Sequence, residues 1–310
     1  MAFAMHGQAV IGVIERNRYF CMKSKDRQGN VVSANEGQDK VIQALYGTAA
    51  GRQALKVLTN PLVSRLGGRF FDSRASVPLV SPFIDRNHID MEQYEEEDYE
   101  SYNHFFTRRV REGEREFSME PQVLCAPCDS KLTVIPITRE GTFAVKNTIY
   151  TMDSLLRSER LAGKYQGGTL LIFRLTVDDY HHYCYVDGGK KTRNYHIPGV
   201  LHTVNPAANE EYPIYTENAR EFSILQSEHF GKVLMMEVGA LMVGRIVNHH
   251  EEKEVSRGME KGYFEYGGST VILAFQPGQV VLHQDILANM ADGFETVVRM
   301  GEAIGRKRER

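Results

Sequence analysis

Three groups of residues carry side chains whose types and spacing could do chemistry. Cys125-Ala126-Pro127-Cys128 is a C-x-x-C pair, a redox dithiol or half of a zinc site, with Cys184 and His181 or His182 able to complete four ligands. The second half lacks zinc spacing and no thioredoxin-like βαβ pattern surrounds the pair, so buried, unpaired thiols are the preferred reading. From Arg174 to Cys184, a second group sets Asp178, Asp179, His181 and His182 at the end of an apolar run. Imidazole titrates near neutrality and a carboxylate can fix its tautomer, which makes this a general-base arrangement. Third, Gly267-Gly268-Ser269 opens another apolar run. The glycines permit a backbone that a Cβ would forbid and bring the Gly268 carbonyl within reach of the Ser269 hydroxyl. Each group alone has a plainer explanation: core or surface histidines among 11 in the chain, or a glycine turn at the head of a strand.

Short β-strands must position these groups. Leu132–Ile137, Thr142–Lys146, Thr169–Leu175, Phe222–Leu225, Val233–Glu237, Ala240–Asn248 and Thr270–Phe275 are rich in Val, Ile, Leu, Thr and Phe and bounded by turn formers. A helical pattern runs from Thr151 to Leu161, with Asp153 as a candidate cap. The expected class is α+β, with a β-rich, predominantly antiparallel core and an N-terminal helical, membrane-facing segment.

That segment is concealed by averages. The 310 residues are 42 % hydrophobic and 25 % charged, with a net charge of −3, which describes a folded globular chain and argues against a nucleic-acid binder. Val41–Phe71, however, contains no acid, and Arg52, Lys56, Arg65 and Arg69 alternate with apolar residues. Short amphipathic helices, broken at Pro61, could lie on an anionic membrane surface; core-packing helices are the plainer alternative. Asp85–Glu100 is acidic and reads as a linker, dividing the chain into 1–100 and 101–310. Arg306, Lys307, Arg308 and Arg310 read as a frayed basic tail. No apolar run is long enough to span a bilayer, since Val233–Val247 is interrupted by Glu237 and Arg245. Four cysteines, Cys21 included, and no secretory leader pattern point to a cytoplasmic setting.

In order along the chain, these pieces resemble the phosphatidylserine decarboxylase family. Phe105-Phe106-Thr107-Arg108-Arg109 with Arg115 is similar to its F-F-x-R motif, Pro127-Cys128-Asp129-Ser130 to P-x-D-G, and Asp179-Tyr180-His181 to D-Y-H-x-x-H. Leu201-His202-Thr203-Val204-Asn205-Pro206 resembles V-N-P, Asn218-Ala219-Arg220 resembles N-E-R, and Val238-Gly239-Ala240 with Val243-Gly244 resembles V-G-A-x-x-V-G. Gly267-Gly268-Ser269-Thr270 falls where the self-cleaving G-S-[ST] element belongs.

The resemblance implies a proenzyme that cuts itself between Gly268 and Ser269. Ser269 attacks the Gly268 carbonyl to give an ester, elimination releases residues 1–268, and hydrolysis of the dehydroalanine leaves a pyruvoyl group on 269–310. That covalent cofactor forms a Schiff base with phosphatidylserine and releases carbon dioxide, giving phosphatidylethanolamine. The implied catalytic candidates are Ser269, His181, Asp129, His182 and Cys184, with Asp129 orienting His181 and His182 in reserve. Cys184 stands where the family has its second histidine, and Ser130 and Ala219 replace the motif Gly and Glu. No metal is implied. The partners are phosphatidylserine, an anionic membrane surface on the cytoplasmic side and the two cleaved chains of a heterodimer, with a homo-oligomer left open. The rivals are a pyruvoyl-dependent decarboxylase of a soluble amino acid, a zinc-binding protein, and an uncut lipid-binding homologue.

Overall fold

The computed structural model describes residues 23–32, 48, 51, 61–145, 148–199, 214–239, 245–266 and 269–309. Cys21, the Leu201–Pro206 motif, Ala240–Gly244, Gly267 and Gly268 lie outside them.

In chain order the strands are β1 (Ser24–Lys25), β2 (Val31–Val32), β3 (Val123–Cys125), β4 (Ser130–Pro136), β5 (Thr142–Val145), β6 (Thr148–Thr151), β7 (Thr169–Leu175), β8 (His182–Cys184), β9 (Gly189–Lys191) and β10 (Tyr195–Ile197). They continue with β11 (Arg220–Ser227), β12 (Gly231–Val238), β13 (Ile246–Asn248), β14 (Lys253–Val255), β15 (Glu260–Phe264), β16 (Ser269–Phe275), β17 (Val280–Leu282), β18 (Glu295–Val298) and β19 (Ala303–Lys307). The helices are α1 (Pro61–Phe71), α2 (Val80–Asn87), α3 (Tyr102–Phe106), α4 (Met152–Leu156), α5 (Glu159–Ala162), α6 (Ile214–Glu217) and α7 (Gln284–Ala291).

An 11-stranded sheet runs β14-β9-β11-β12-β16-β7-β4-β18-β1-β2, with β10 also on β11. Among the described residues only β1 on β18 is parallel, so the expected β-rich, mostly antiparallel core is found. At the centre, β7 and β16 are apolar along almost their whole length because both faces are covered. On one face Phe173, Leu175, Val271, Leu273, Val233 and Met235 meet Tyr183 and Phe264 of the small β13-β15-β8 sheet and Leu282 and Ile304 of the β17-β19-β3 sheet. On the other, Ile172, Ile272 and Met236 pack against Phe143, Tyr150, Leu155 and Leu156 from the β5–β6 hairpin and α4. Gly262 lets β13 close on β15, since a Cβ there would sit 2.0 Å from the Val247 carbonyl oxygen.

Local chemistry changes two expectations. The 151–161 helix is two short ones: Thr151, not Asp153, caps α4 in a capping box with Ser154, and Arg157 ends it in the left-handed region (φ 49°). Ser158 then caps α5. Pro61 opens a helix rather than breaking one, the position where a missing N–H costs nothing. From the N-terminal part, residues 24–32 add strands to the main sheet. Val80 of α2 and Tyr102, Phe105 and Phe106 of α3 form an apolar, mostly aromatic cluster, with Phe71 and Phe83, against Tyr266.

Candidate active site

Ser269 is the first residue of β16, in register with Leu175 at the end of β7. It is fully buried and its Oγ has no hydrogen-bond partner; the same holds for Thr270 Oγ1. From Leu175 the chain turns through residues 176–180 to His181. Asp179 fixes that turn: its carboxylate accepts Thr176 N (2.6 Å) and Thr176 Oγ1 (2.8 Å) and pairs with Lys131 Nζ of β4 (2.7 Å). Burial pushes the Asp179 carboxyl up, and the Lys131 charge and Thr176 donors more than reverse it, so it stays ionised.

So held, the Asp179 carbonyl oxygen lies 2.9 Å from His181 Nδ1. A carbonyl only accepts, so Nδ1 carries the hydrogen and Nε2 carries the lone pair. His181 is fully buried and its ring centroid is 4.0 Å from that of Phe106. Burial drives its pKa down to about 3, with a smaller contribution from Arg108, against the pull of Asp179. The imidazole is therefore neutral at physiological pH, and Nε2 is buried without a partner. Phe106 also lies 5.4 Å, centroid to centroid, from Tyr266, which precedes Ser269 by three residues. His181 and the head of β16 thus share one neighbourhood, pinned where Asn103 Oδ1 accepts Tyr266 N (3.0 Å) and Phe264 N donates to the His181 carbonyl (3.0 Å).

The other candidates are placed differently. Asp129 does not hold His181: Arg115 donates to it through Nε (2.9 Å) and Nη2 (2.7 Å), and Met300 N donates to Oδ1 (2.7 Å). Its acceptors are spent on tying residues 115 and 300 together. His182 Nε2 lies 3.1 Å from the Thr107 carbonyl oxygen, and its Nδ1, which has no hydrogen-bond partner, lies 3.1 Å from Glu260 Oε2. Its ring stacks on Tyr180 (4.6 Å) and Tyr263 (5.2 Å). Burial works to raise the Glu260 carboxyl, and His182 and His249 bring it down to about 2.

Cys184 shares the His182 face of β8 by the strand's two-residue period. It lies among Tyr94, Tyr180 and Met300, its Sγ 3.6 Å from Met300 Sδ. Burial pushes this thiol far above its ordinary range, so it stays protonated at neutral pH. Cys125 and Cys128 are buried free thiols as well, and no group of three or more metal-ligating side chains occurs among the described residues.

Sequence reasoning missed Lys131 as the clamp on Asp179, and the fully buried Lys261–Glu237 ion pair (2.6 Å). The signal for the latter was Glu237 itself, an acid inside an apolar strand.

Residues 102–306 match the family model described as phosphatidylserine decarboxylase. A phosphatidylserine decarboxylase proenzyme 2 of Clostridium acetobutylicum is 45 % identical over 265 residues, 85 % of this chain and 91 % of that protein. A proenzyme of the same name without the numeral, from Ruminiclostridium cellulolyticum, is 38 % identical over 86 % of this chain and 91 % of its own length. Another, from Clostridium tetani, is 36 % identical over 94 % of this chain and 98 % of its own length. With more than half of its length in the family model and relatives this similar almost end to end, the chain belongs to the phosphatidylserine decarboxylase family.

Proposed function

We propose that the chain is a proenzyme that cuts itself between Gly268 and Ser269 and then, as chains 1–268 and 269–310 folded together, converts phosphatidylserine to phosphatidylethanolamine and carbon dioxide. The observation that carries this reading is a pair of bare, buried groups of opposite kind: the acceptor His181 Nε2 and the donor Ser269 Oγ–H. Leaving a buried polar atom unpaired costs about 1–3 kcal/mol, which a fold bears where the atom has other work.

In the processing step His181 Nε2 takes the Ser269 proton as Oγ attacks the Gly268 carbonyl carbon. The Asp179 carbonyl steadies the resulting imidazolium through Nδ1–H. Nε2 then returns its proton to the departing Gly268–Ser269 nitrogen, leaving an ester whose elimination and hydrolysis release residues 1–268 and ammonia. The pyruvoyl group left at 269 supplies a carbonyl that binds an amine and draws electron density as carbon dioxide departs. The surrounding Leu175, Phe106 and Tyr266 keep water from the site.

A lipid substrate needs a lipid-facing surface. Leu66 (65 % exposed) and Phe70 (44 %) lie one helical turn apart on α1, with Leu79 exposed nearby and Arg69 and Arg74 beside them. Apolar side chains fringed by cations suit an anionic bilayer, while Phe71 reaches inward to Tyr266, 4.2 Å between ring centroids. This supports peripheral attachment at the cytoplasmic face of the cell membrane. Among the described residues no helix is long and apolar enough to cross a membrane.

The test is substrate choice. Vesicles holding carboxyl-labelled phosphatidylserine are expected to release labelled carbon dioxide, free serine to release none, and the Ser269→Ala chain to stay uncut and inert. Release from free serine but not from the lipid overturns the assignment.

A further inference from the structure

The inner face of the main sheet changes character near Ser269. Directly opposed residues of antiparallel strands share a face, and side chains alternate along each strand. Glu237 of β12 lies opposite Glu221 of β11 and Val271 of β16. The face that carries Val271 therefore carries Ser269 two residues back, and Ser223 two residues along β11 from Glu221. Farther along, the same face is wholly apolar, with Leu225, Val233, Met235, Leu273 and Phe275.

Within this polar end the hydrogen bonds are lopsided. Lys261 Nζ donates to Glu237 Oε2 (2.6 Å) and to Asn248 Oδ1 (2.7 Å). Asn248 Nδ2 donates to the same Glu237 Oε2 (3.2 Å) and to Glu221 Oε1 (2.6 Å). Lys191, also fully buried, spends its ammonium on the carbonyls of Thr192, His250 and Glu251. Glu237 Oε1 is left buried with no partner, as are Ser223 Oγ and Ser269 Oγ on the same face. A carboxyl oxygen without a donor, on the same face as bare hydroxyls, is a place prepared for a donor that arrives from outside.

We propose that Glu237 Oε1 receives the amino group of the phosphatidylserine headgroup and takes one proton from it, so that the nitrogen reaches position 269 with its lone pair free. This rests on the decarboxylase reading above. The proton balance is internal: the ammonium gives up one proton, Glu237 becomes a neutral carboxyl, and no other reactant is needed. Burial holds the Glu237 carboxyl above its ordinary range despite Lys261, which suits an oxygen that must accept a proton. Diagonal neighbours on adjacent strands are about 7–8 Å apart at the backbone, a gap that a glutamate and a small headgroup bridge together.

The experiment measures binding by the uncut Ser269→Ala chain, by equilibrium dialysis with two soluble short-chain lipids, dihexanoyl phosphatidylserine and its N-acetylated form. The Ser269→Ala chain is expected to prefer the free amine by about tenfold, the worth of one charge-assisted hydrogen bond, and Glu237→Gln in that background to abolish the preference. Because Glu237→Gln strands the Lys261 charge, the double variant Glu237→Gln/Lys261→Met, which removes both charges, is measured beside it and is expected to fold and to show no preference. A preference that survives in either variant, or is missing with Glu237 intact, overturns the proposal. Wild-type release of carbon dioxide from phosphatidylserine is followed in parallel: its absence sinks the decarboxylase reading, whereas its presence with an unchanged preference sinks only the role of Glu237.

Discussion

If neutral His181 is the processing base, self-cleavage should be almost indifferent to mild acid. An imidazole of ordinary pKa, about 6.5, is only about 3 % neutral at pH 5, and cleavage would fall roughly 30-fold between pH 8 and pH 5. With burial holding the group at about 3, the neutral fraction at pH 5 is still about 99 %. The assay is a short pulse of cell-free synthesis transferred into buffers from pH 5 to 8, with the conversion of full-length chain to the 1–268 fragment followed on denaturing gels. A flat profile is expected, and His181→Ala should slow conversion by about 10²–10⁴-fold at every pH, the usual worth of a general base. An inflection near pH 6.5, or ordinary cleavage in His181→Ala, would refute the reasoning. The same burial has a cost in stability. Between pH 6.5 and about 3 the unfolded imidazole binds a proton that the folded one refuses, so stability falls as pH falls through that window, by on the order of 5 kcal/mol in all.

Other consequences are separable. Arg115→Ala strips the nearly buried Asp129 of its cation and should cost about 3–5 kcal/mol in denaturant unfolding, with Arg115→Lys recovering part of it. Cys184→Ala should leave cleavage at the wild-type rate and cost about 1–2 kcal/mol of stability through lost packing against Met300 and Tyr180; lost cleavage in a folded Cys184→Ala chain would return the thiol to the mechanism. Lys131→Met should slow processing while leaving the pH profile flat, because it loosens the Asp179 turn and not the proton chemistry. Leu66→Glu/Phe70→Glu should reduce co-sedimentation with phosphatidylserine vesicles and leave self-cleavage intact, and unchanged sedimentation would remove α1 from the lipid-facing surface.

What could be read from the chain, and what could not, follows the range of the interactions. β7 and β16 were legible because strands covered on both faces are continuously apolar, and Ser269 was legible as the residue just ahead of the expected strand Thr270–Phe275, which the structure begins one residue earlier. β1 was not, since Ser24–Lys25 is too short to show any period and is held by its pairing with Glu295 and Thr296. The 151–161 helix was found, but its break depends on one left-handed arginine, Arg157, that no pattern announces. His181 emerged from its residue type, yet its orienting partner did not. Proximity in sequence suggested a carboxylate, whereas the contact is a backbone carbonyl set in place by Lys131, 48 residues before Asp179. Cys184 looked like a histidine substitute by position, and only its apolar surroundings show a thiol kept protonated.

An intact-mass spectrum of the purified protein, taken under denaturing conditions, tests the central claim most directly. The account predicts two chains, the smaller beginning at position 269 and lighter by one ammonia than a chain with a free serine terminus, and a single uncut chain for Ser269→Ala. An undivided 310-residue chain in the wild type, or a small fragment with an ordinary serine amino terminus, would contradict it.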